Sequence, residues 1–361
     1  MTYYLLILAI LVWPFGQLLN ISLPGLGLTL YPLDLVCGLL TLSLLFSSKK
    51  LKIIVQDPLF RPLSIFLLVA ALSLLLNLRS AIAGGLAYST FYLLRLFIYP
   101  SVYFSVKLLS GKKVFPYVCF SLFTFSFLGL LQYFFFPDMR FLKLLGFDDH
   151  YFRLIGSFYD PNFSGAVFAG VSLVFISLGQ WLVALPTIFL LALTFSRASY
   201  LVFFLGLVFV FVSKKNWTIL FNFLLLAILL VMIPKPFGEG VNLLRTFSIF
   251  SRLDSWWDGL SLFVQRPVFG WGYNTLRSIR GERFQIDNSF VFLAATTGLI
   301  GLLSFFNLLK NVLFQTKYPP QKLFVFALLT HSLFNNSLFY IWIYFAFWLA
   351  LGLPSKEYKG S

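Results

Sequence analysis

Apolar stretches of roughly 15–23 residues recur from one end of this chain to the other, each long enough for a helix through a hydrocarbon core ~30 Å thick. Twelve can be counted, at about 4–20, 32–47, 62–77, 88–109, 114–136, 163–178, 181–195, 199–213, 217–233, 287–306, 322–336 and 338–352. Several are short, so tilt or re-entrant segments could change the count by about one or two. Only 11% of the 361 residues are charged, against about 25% in soluble domains. The expected fold is therefore an all-α integral membrane protein, one polytopic domain over residues 1–361. Cys37 and Cys119 both fall in these runs and suggest no disulfide framework or metal cluster. His150 and His331 are the only histidines, in no metal-ligand spacing. Met1–Tyr4 lead straight into the first run without a basic region or cleavage site, so that run reads as retained. No metal, cofactor or nucleic-acid partner is expected: the net charge of +15 is large, but its distribution points elsewhere.

Placing both termini in the cytoplasm sorts the basic residues by type. The inside connections then hold thirteen Lys and one Arg, and the remaining positions hold eleven Arg and two Lys. Lysine on the inside is the ordinary topological signal. Arginine on the outside runs against it, and its planar fork binds phosphate and carboxylate oxygens in pairs, which lysine cannot do. Six arginines, Arg245, Arg252, Arg266, Arg277, Arg280 and Arg283, lie in one polar insert at 234–286. Within it Leu253, Trp256, Trp257, Leu260 and Val264 fall on one face of an amphipathic helix. Ser251 reads as its N-cap, with Asp254 three residues on, and the paired tryptophans suit the membrane interface. Pro267, Gly270 and Gly272 end that helix in a compact turn, so the loop is ordered.

Other segments offer chemistry. Residues 137–162 form a second outward loop in which Asp160 precedes Pro161 and Asn162 could cap the next helix. This is either a helix-start turn or a polar wall of an outward site. Ser196–Ser199 make a four-residue turn that fixes Arg197 at the surface, for a phosphate or for lipid headgroups. Arg95 lies inside the fourth run, where a charge usually faces a polar cavity unless it snorkels outward. Asp287, with Asn288 and Ser289, opens the tenth run as a helix cap, a general base, or both. His331, near the end of the eleventh, is followed by Asn335 and Asn336 and reads first as a hydrogen-bonded structural residue.

In this arrangement the chain resembles the O-antigen ligase and polymerase superfamily of bacterial envelope proteins. Ser196-Arg197 is similar to its Ser-Arg element, and Arg252 with Trp256 to its R-x-x-x-W. Pro267, Gly270 and Gly272 fit P-x-x-G-x-G. Asn288-Ser289-Phe290 with Gly298 and Gly301 fits the start of the span after the large loop, and Gly156–Asn162 fits a weaker upstream element. The likeness covers roughly residues 155–305. It implies a GT-C-like membrane glycosyltransferase that needs neither nucleotide nor metal. A glycan would pass from a polyprenyl-pyrophosphate carrier to a lipid or glycan acceptor on the outer face of the cytoplasmic membrane, among membrane lipids.

Carried over, the resemblance makes Arg197 and Arg252 the pyrophosphate ligands, with Arg95, Arg266, Asp160, Asn162 and Asn288 as further substrate-binding candidates. The family places His before the Asn of its His-Asn element; this chain has Asp287 there, so Asp287 and His331 are the two candidate bases. Developing charge on a pyrophosphate leaving group is what fixed guanidinium groups stabilise, and the acceptor hydroxyl needs a base. A flippase or transporter of the same lipid-linked glycans would also want arginines outside, and a non-catalytic envelope scaffold is compatible with aspartate at position 287.

Overall fold

The computed structural model describes residues 1–23, 28–78, 85–109, 113–214, 218–233, 239–281 and 284–354. Arg283 lies outside the described residues. The first helices are α1 (Thr2–Val12), α2 (Pro32–Leu45), α3 (Ser48–Val55), α4 (Phe60–Leu76), α5 (Leu86–Ile98), α6 (Ser101–Leu108) and α7 (Phe115–Phe135). Then come α8 (Pro161–Ser177), α9 (Trp181–Leu193), α10 (Arg197–Lys214) and α11 (Thr218–Met232). The last are α12 (Phe247–Gln265), α13 (Leu276–Arg280), α14 (Ser289–Gln315), α15 (Pro319–His331) and α16 (Ile341–Gly352).

A helix lies in each of the twelve apolar runs. The run at 88–109 is divided, because Pro100 cannot continue the helical hydrogen-bond ladder from α5 into α6. Among the described residues two helices, α7 and α14, are long and apolar enough to cross a membrane by themselves. Helices α2 and α3 pass the same test together across a bend of 95°. Shorter apolar helices, among them α4, α8, α9 and α16, accompany them. The chain is mostly helical, in keeping with the expected all-α class, and one short hairpin accompanies the helices. Ile21–Leu23 (β1) and Leu28–Leu30 (β2) pair antiparallel, Ile21 opposite Leu30. Strands this short, lying between the first two apolar runs, show no readable period.

This hairpin leads into a buried ion pair that corrects the reading of Arg95. Its Nε and Nη2 donate to Asp34 Oδ1 (2.9 Å) and Oδ2 (2.7 Å), and Nη2 also to the Thr29 carbonyl (2.6 Å). The Tyr99 hydroxyl donates to Asp34 Oδ1 (2.8 Å), and the Phe91 ring lies 4.3 Å from the guanidinium carbon. Arg95 therefore faces an acid on α2, not a polar cavity. No local periodicity ties two positions 61 residues apart. Asp34→Ala is expected to cost about 3–5 kcal/mol, because it leaves a buried guanidinium without its partner. The double change Asp34→Leu with Arg95→Met should recover part of that loss, read as thermal unfolding in detergent.

The large insert is anchored by a break in α14. Gly298 sits there at φ +68°, in the left-handed region. The opened backbone pairs with the turn after α12: the Leu299 and Ile300 N–H groups donate to the carbonyls of Pro267 (2.7 Å) and Val268 (3.3 Å). In return Trp271 and Gly272 donate to the carbonyls of Ala295 (3.0 Å) and Thr296 (2.9 Å). Ser73 on α4 donates to the carbonyls of both Phe269 and Thr296. Irregular backbone among apolar helices is tolerated only where protein groups satisfy it, and here each broken segment satisfies the other.

Helix α12 begins at Phe247, so Ser251 lies inside it and does not cap it. The helix lies against α14 through Gly259, where a Cβ would come within 2.5 Å of Val291 Cγ1, and through buried Leu262. Most of the apolar stripe faces away from the bundle, Trp257 being 74% and Val264 73% exposed, while Trp256 turns toward the Asp287 main chain.

Candidate functional site

The site is built where α8, the α9–α10 turn, α12 and the end of α15 meet. Asp160, not Asn162, caps α8: its carboxylate accepts from the N–H groups of Asn162 (2.6 Å) and Phe163 (3.4 Å). That frees the Asn162 side chain, whose Oδ1 accepts from Ser196 Oγ (3.0 Å). Gly165 lets α10 come close, since a Cβ there would fall 2.5 Å from Ser199 Oγ. Ser199 Oγ lies 3.4 Å from His331 Nε2, which is also 3.3 Å from Asn335 Nδ2. His331 Nδ1 meets Ser337 Oγ at 2.6 Å. Arg252 Nη2 donates to Asn335 Oδ1 (3.4 Å). One polar chain thus runs from Asn162 through Ser196, Ser199, His331 and Asn335 to Arg252. His331 is fully buried, with both ring nitrogens engaged.

Four arginines gather at this end. Phe195 has φ +48°, which reverses the chain between α9 and α10. The carbonyls left at the end of α9 are met by Arg153, whose Nε donates to Thr194 (2.9 Å) and Nη2 to Phe195 (3.3 Å). A cation suits the negative end of a helix. Arg245 donates to the carbonyls of Gly240, Asn242 and Phe195. Arg197 donates to the carbonyls of Leu243 (3.2 Å) and Arg245 (2.6 Å) and to Ser248 Oγ (2.6 Å). None of the ion pairs formed among the described residues includes Arg153, Arg197, Arg245 or Arg252.

Burial, and then Arg245, push Arg153 well below the ordinary guanidinium value. Arg245 is lowered too, by burial and then by Arg197 and Arg252. A guanidinium keeps its proton regardless, so four positive charges stand close together here.

One carboxylate faces this cluster. Asn288, not Asp287, caps α14, accepting from the N–H groups of Phe290 (2.8 Å) and Val291 (3.1 Å) and donating to the Leu333 carbonyl (3.0 Å). Asp287 is fixed by its main chain: its N–H donates to Ser255 Oγ (2.8 Å) and its carbonyl accepts from Trp256 Nε1 (3.0 Å). No described residue donates to the Asp287 carboxylate. Burial raises its pKa to about 6; Arg252 opposes that rise, and Asp160 and Asp148 add to it. Asp160 is raised as well, chiefly by burial.

Of the sequence candidates, Arg197, Arg252, Asp160, Asn162, Asp287, Asn288 and His331 come together, although Asp160 and Asn288 serve first as helix caps. Arg95 and Arg266 stand apart. Arg266 stacks on Trp271, its guanidinium carbon 3.9 Å from the ring centre, and donates to Asn77 Oδ1 (2.5 Å). Arg153 and Ser337 were not singled out from sequence, and Arg245, Ser199 and Asn335 were named there without a site role of their own. Residue type marked the two arginines, but only the fold shows which carbonyls they hold.

The fold and site define a helical protein of apolar spans in which four arginines gather near a carboxylate whose pKa is raised by burial. Residues 182–306, about a third of the chain, match the family model described as O-antigen ligase. The match spans Arg197, Arg252, Asp287 and the α14 break, while Asp160, Asn162 and His331 lie outside it. It supports the resemblance to the O-antigen ligase and polymerase superfamily, a ligase- or polymerase-like role in polysaccharide assembly, and glycosyltransferase-like activity. A comparison with curated proteins finds no match.

Proposed function

We propose that the chain moves a glycan from a polyprenyl-pyrophosphate carrier to a hydroxyl of a lipid or glycan acceptor. The setting is a GT-C-like bundle of about twelve spans in a bacterial cytoplasmic membrane. Both termini are cytoplasmic, and the 234–286 loop and the site face outward. The observation that supports this reading is the juxtaposition of four arginines with a carboxylate, where among the described residues the arginines form no ion pair and the carboxylate receives no donor. Arg252, held by a single long hydrogen bond, has donors left to receive the pyrophosphate, and Arg197 flanks it. Asp287 takes the proton from the acceptor hydroxyl as that oxygen attacks the anomeric carbon and the carrier pyrophosphate leaves with the bonding electrons. A single displacement inverts the anomeric centre. His331 acts as a positioning residue, holding Asn335 against Arg252.

The test is release of carrier pyrophosphate by purified protein in proteoliposomes supplied with donor and acceptor. Activity is expected to rise with pH up to about 6 and then level, following ionisation of Asp287. Asp287→Asn should lower the rate ~10²–10⁴-fold and remove the rise. Wild-type release by Asp287→Asn would assign the base elsewhere. Stability should run the opposite way. A carboxyl raised on folding binds its proton more tightly in the native state, so stability falls as pH climbs from the ordinary carboxylate range to about 6. Asp287→Asn should flatten that decline.

A further inference from the structure

An apolar cleft of about 130 Å³ lies between α7, α8, α15 and α16. Its walls take the start of α7 at Phe115 and Cys119 and the second half of α8 from Val167 to Leu178. They also take the start of α15 as far as Phe324 and the end of α16 as far as Leu353. Asp160 caps the start of α8 and His331 ends α15, so the cleft occupies the halves of both helices that lie away from the site. Leu178 follows Val167 by eleven residues, which is roughly 16 Å at the helical rise. That is about half of a ~30 Å hydrocarbon core, the depth of one leaflet. Trp13 bounds the end nearer the site: its Nε1 donates to the Trp342 carbonyl (2.8 Å), and the Phe158 ring stands against it at 5.5 Å. Cys119 is exposed, so the cleft opens to the outside beside α7. Two polar side chains in the wall are spent on the protein. Ser121 Oγ donates to the Ile10 carbonyl (2.7 Å), and Gln321 Nε2 donates to the carbonyls of Ala350 (3.1 Å) and Leu353.

Positive charge stands at the other end. Lys113 precedes Phe115 by two residues, and Lys317 adjoins Tyr318, which lines the cleft together with Pro320. Both lysines are exposed, and none of the ion pairs formed among the described residues includes either. An apolar hollow of this size stays dry and takes up apolar guests, and lysines at a membrane surface attract anionic headgroups. One molecule supplies hydrocarbon and negative charge at this spacing, a phospholipid with its chain in the cleft and its phosphate at the lysines. We infer that the cleft binds an acyl chain of an anionic phospholipid from the leaflet opposite the site, the cytoplasmic one in the proposed orientation. The polyprenyl carrier has the wrong polarity for this position. With its pyrophosphate at Arg252 only the far part of its tail would enter, and no charge would meet Lys113 and Lys317. The inference does not depend on the transfer reaction.

The probe is phosphatidylglycerol with a diazirine midway along one acyl chain, at low density in phosphatidylcholine nanodiscs that hold the full chain. After photolysis, adducts are mapped by mass spectrometry. They are expected around Cys119 on α7 and between Val167 and Leu178 on α8, about tenfold above those from phosphatidylcholine with the same diazirine. Lys113→Gln combined with Lys317→Gln should erase that preference. Lys322→Gln should keep it, because at the helical period Lys322 falls on the face of α15 turned away from Pro320 and Phe324. Cys119→Trp, which fills the cleft from an exposed wall position, should abolish the adducts on α8. Wild-type Cys119 gives the same reading without a substitution that could unfold the chain. Phosphatidylglycerol should slow its alkylation by a membrane-permeant maleimide and phosphatidylcholine should not, while Cys37 stays buried. Equal labelling by the two lipids, a preference that survives loss of both lysines, or unprotected Cys119 would overturn the site. Displacement of the probe by an equal amount of polyprenyl phosphate would assign the cleft to the carrier tail and overturn it as well. Carrier release by the lysine variants, expected at the wild-type rate, keeps these outcomes apart from a failure of the transfer reading.

Discussion

Arg252→Ala is expected to lower carrier release ~10²–10³-fold, the size of effect seen when one fixed donor to a developing anion is removed. The loss should fall on kcat more than on KM. In the proposed transfer, charge would accumulate on the leaving pyrophosphate as the glycosidic bond breaks, so the guanidinium would contribute more to the transition state than to the bound donor. The structure makes Arg252 the cleaner probe of the two arginines proposed to hold the pyrophosphate. It has one hydrogen bond of 3.4 Å to Asn335, so its removal strips little from the fold. Arg197 holds Leu243, Arg245 and Ser248 together, and Arg197→Ala should loosen that segment as well as slow release. Arg252→Lys should recover only part of the rate, since an ammonium cannot present two parallel donors. Release by Arg252→Ala within a few-fold of wild type would remove this residue from the transition state.

Gly298→Ala is expected to destabilise the chain by about 3 kcal/mol or more, through left-handed strain and overpacking together. A Cβ at this position would lie 2.2 Å from the Val268 carbonyl oxygen and 2.6 Å from the Phe269 nitrogen. Both are backbone atoms held in the pairing between the α12 turn and the α14 break, so neither can swing away. Gly270 faces the same restriction from the other side, at φ +65° with a Cβ position 2.4 Å from the Thr296 carbonyl carbon. Gly38, with nothing within 4 Å of its Cβ position, serves as the control. Thermal unfolding in detergent should show a large drop for Gly298→Ala and almost none for Gly38→Ala. Equal midpoints would mean that the re-entrant pairing contributes little. Because α12 carries Arg252 and is tethered by this pairing, Gly298→Ala should also lower activity in the protein that remains folded.

Much of the site was legible from residue type. Arginine against the topological bias marked Arg197 and Arg252, and the break residues Pro267, Gly270 and Gly272 marked the turn that closes the insert. The capping assignments went astray by one residue at Asp287 and by two at Asn162. Ser, Asp and Asn cap interchangeably, so a sequence cannot choose among neighbours. Arg95 went astray for a different reason: a buried charge announces that it needs a partner but not where that partner is, and Asp34 lies on another helix.

The sequence by itself determined the class of fold. Apolar runs of this length leave a helix in each, and that is a local property of composition and period. It also determined that cationic side chains collect in one insert. Tertiary structure alone decided what those side chains do. It spent Arg153 and Arg245 on the carbonyls of a reversed turn and, among the described residues, left most Arg252 donors unfilled and set Asp287 near Arg252 with no donor to its carboxylate. The physical reason is range. Helix propensity and hydropathy act over a few neighbours, whereas hydrogen-bond satisfaction and pKa depend on groups that meet only after the chain has closed on itself.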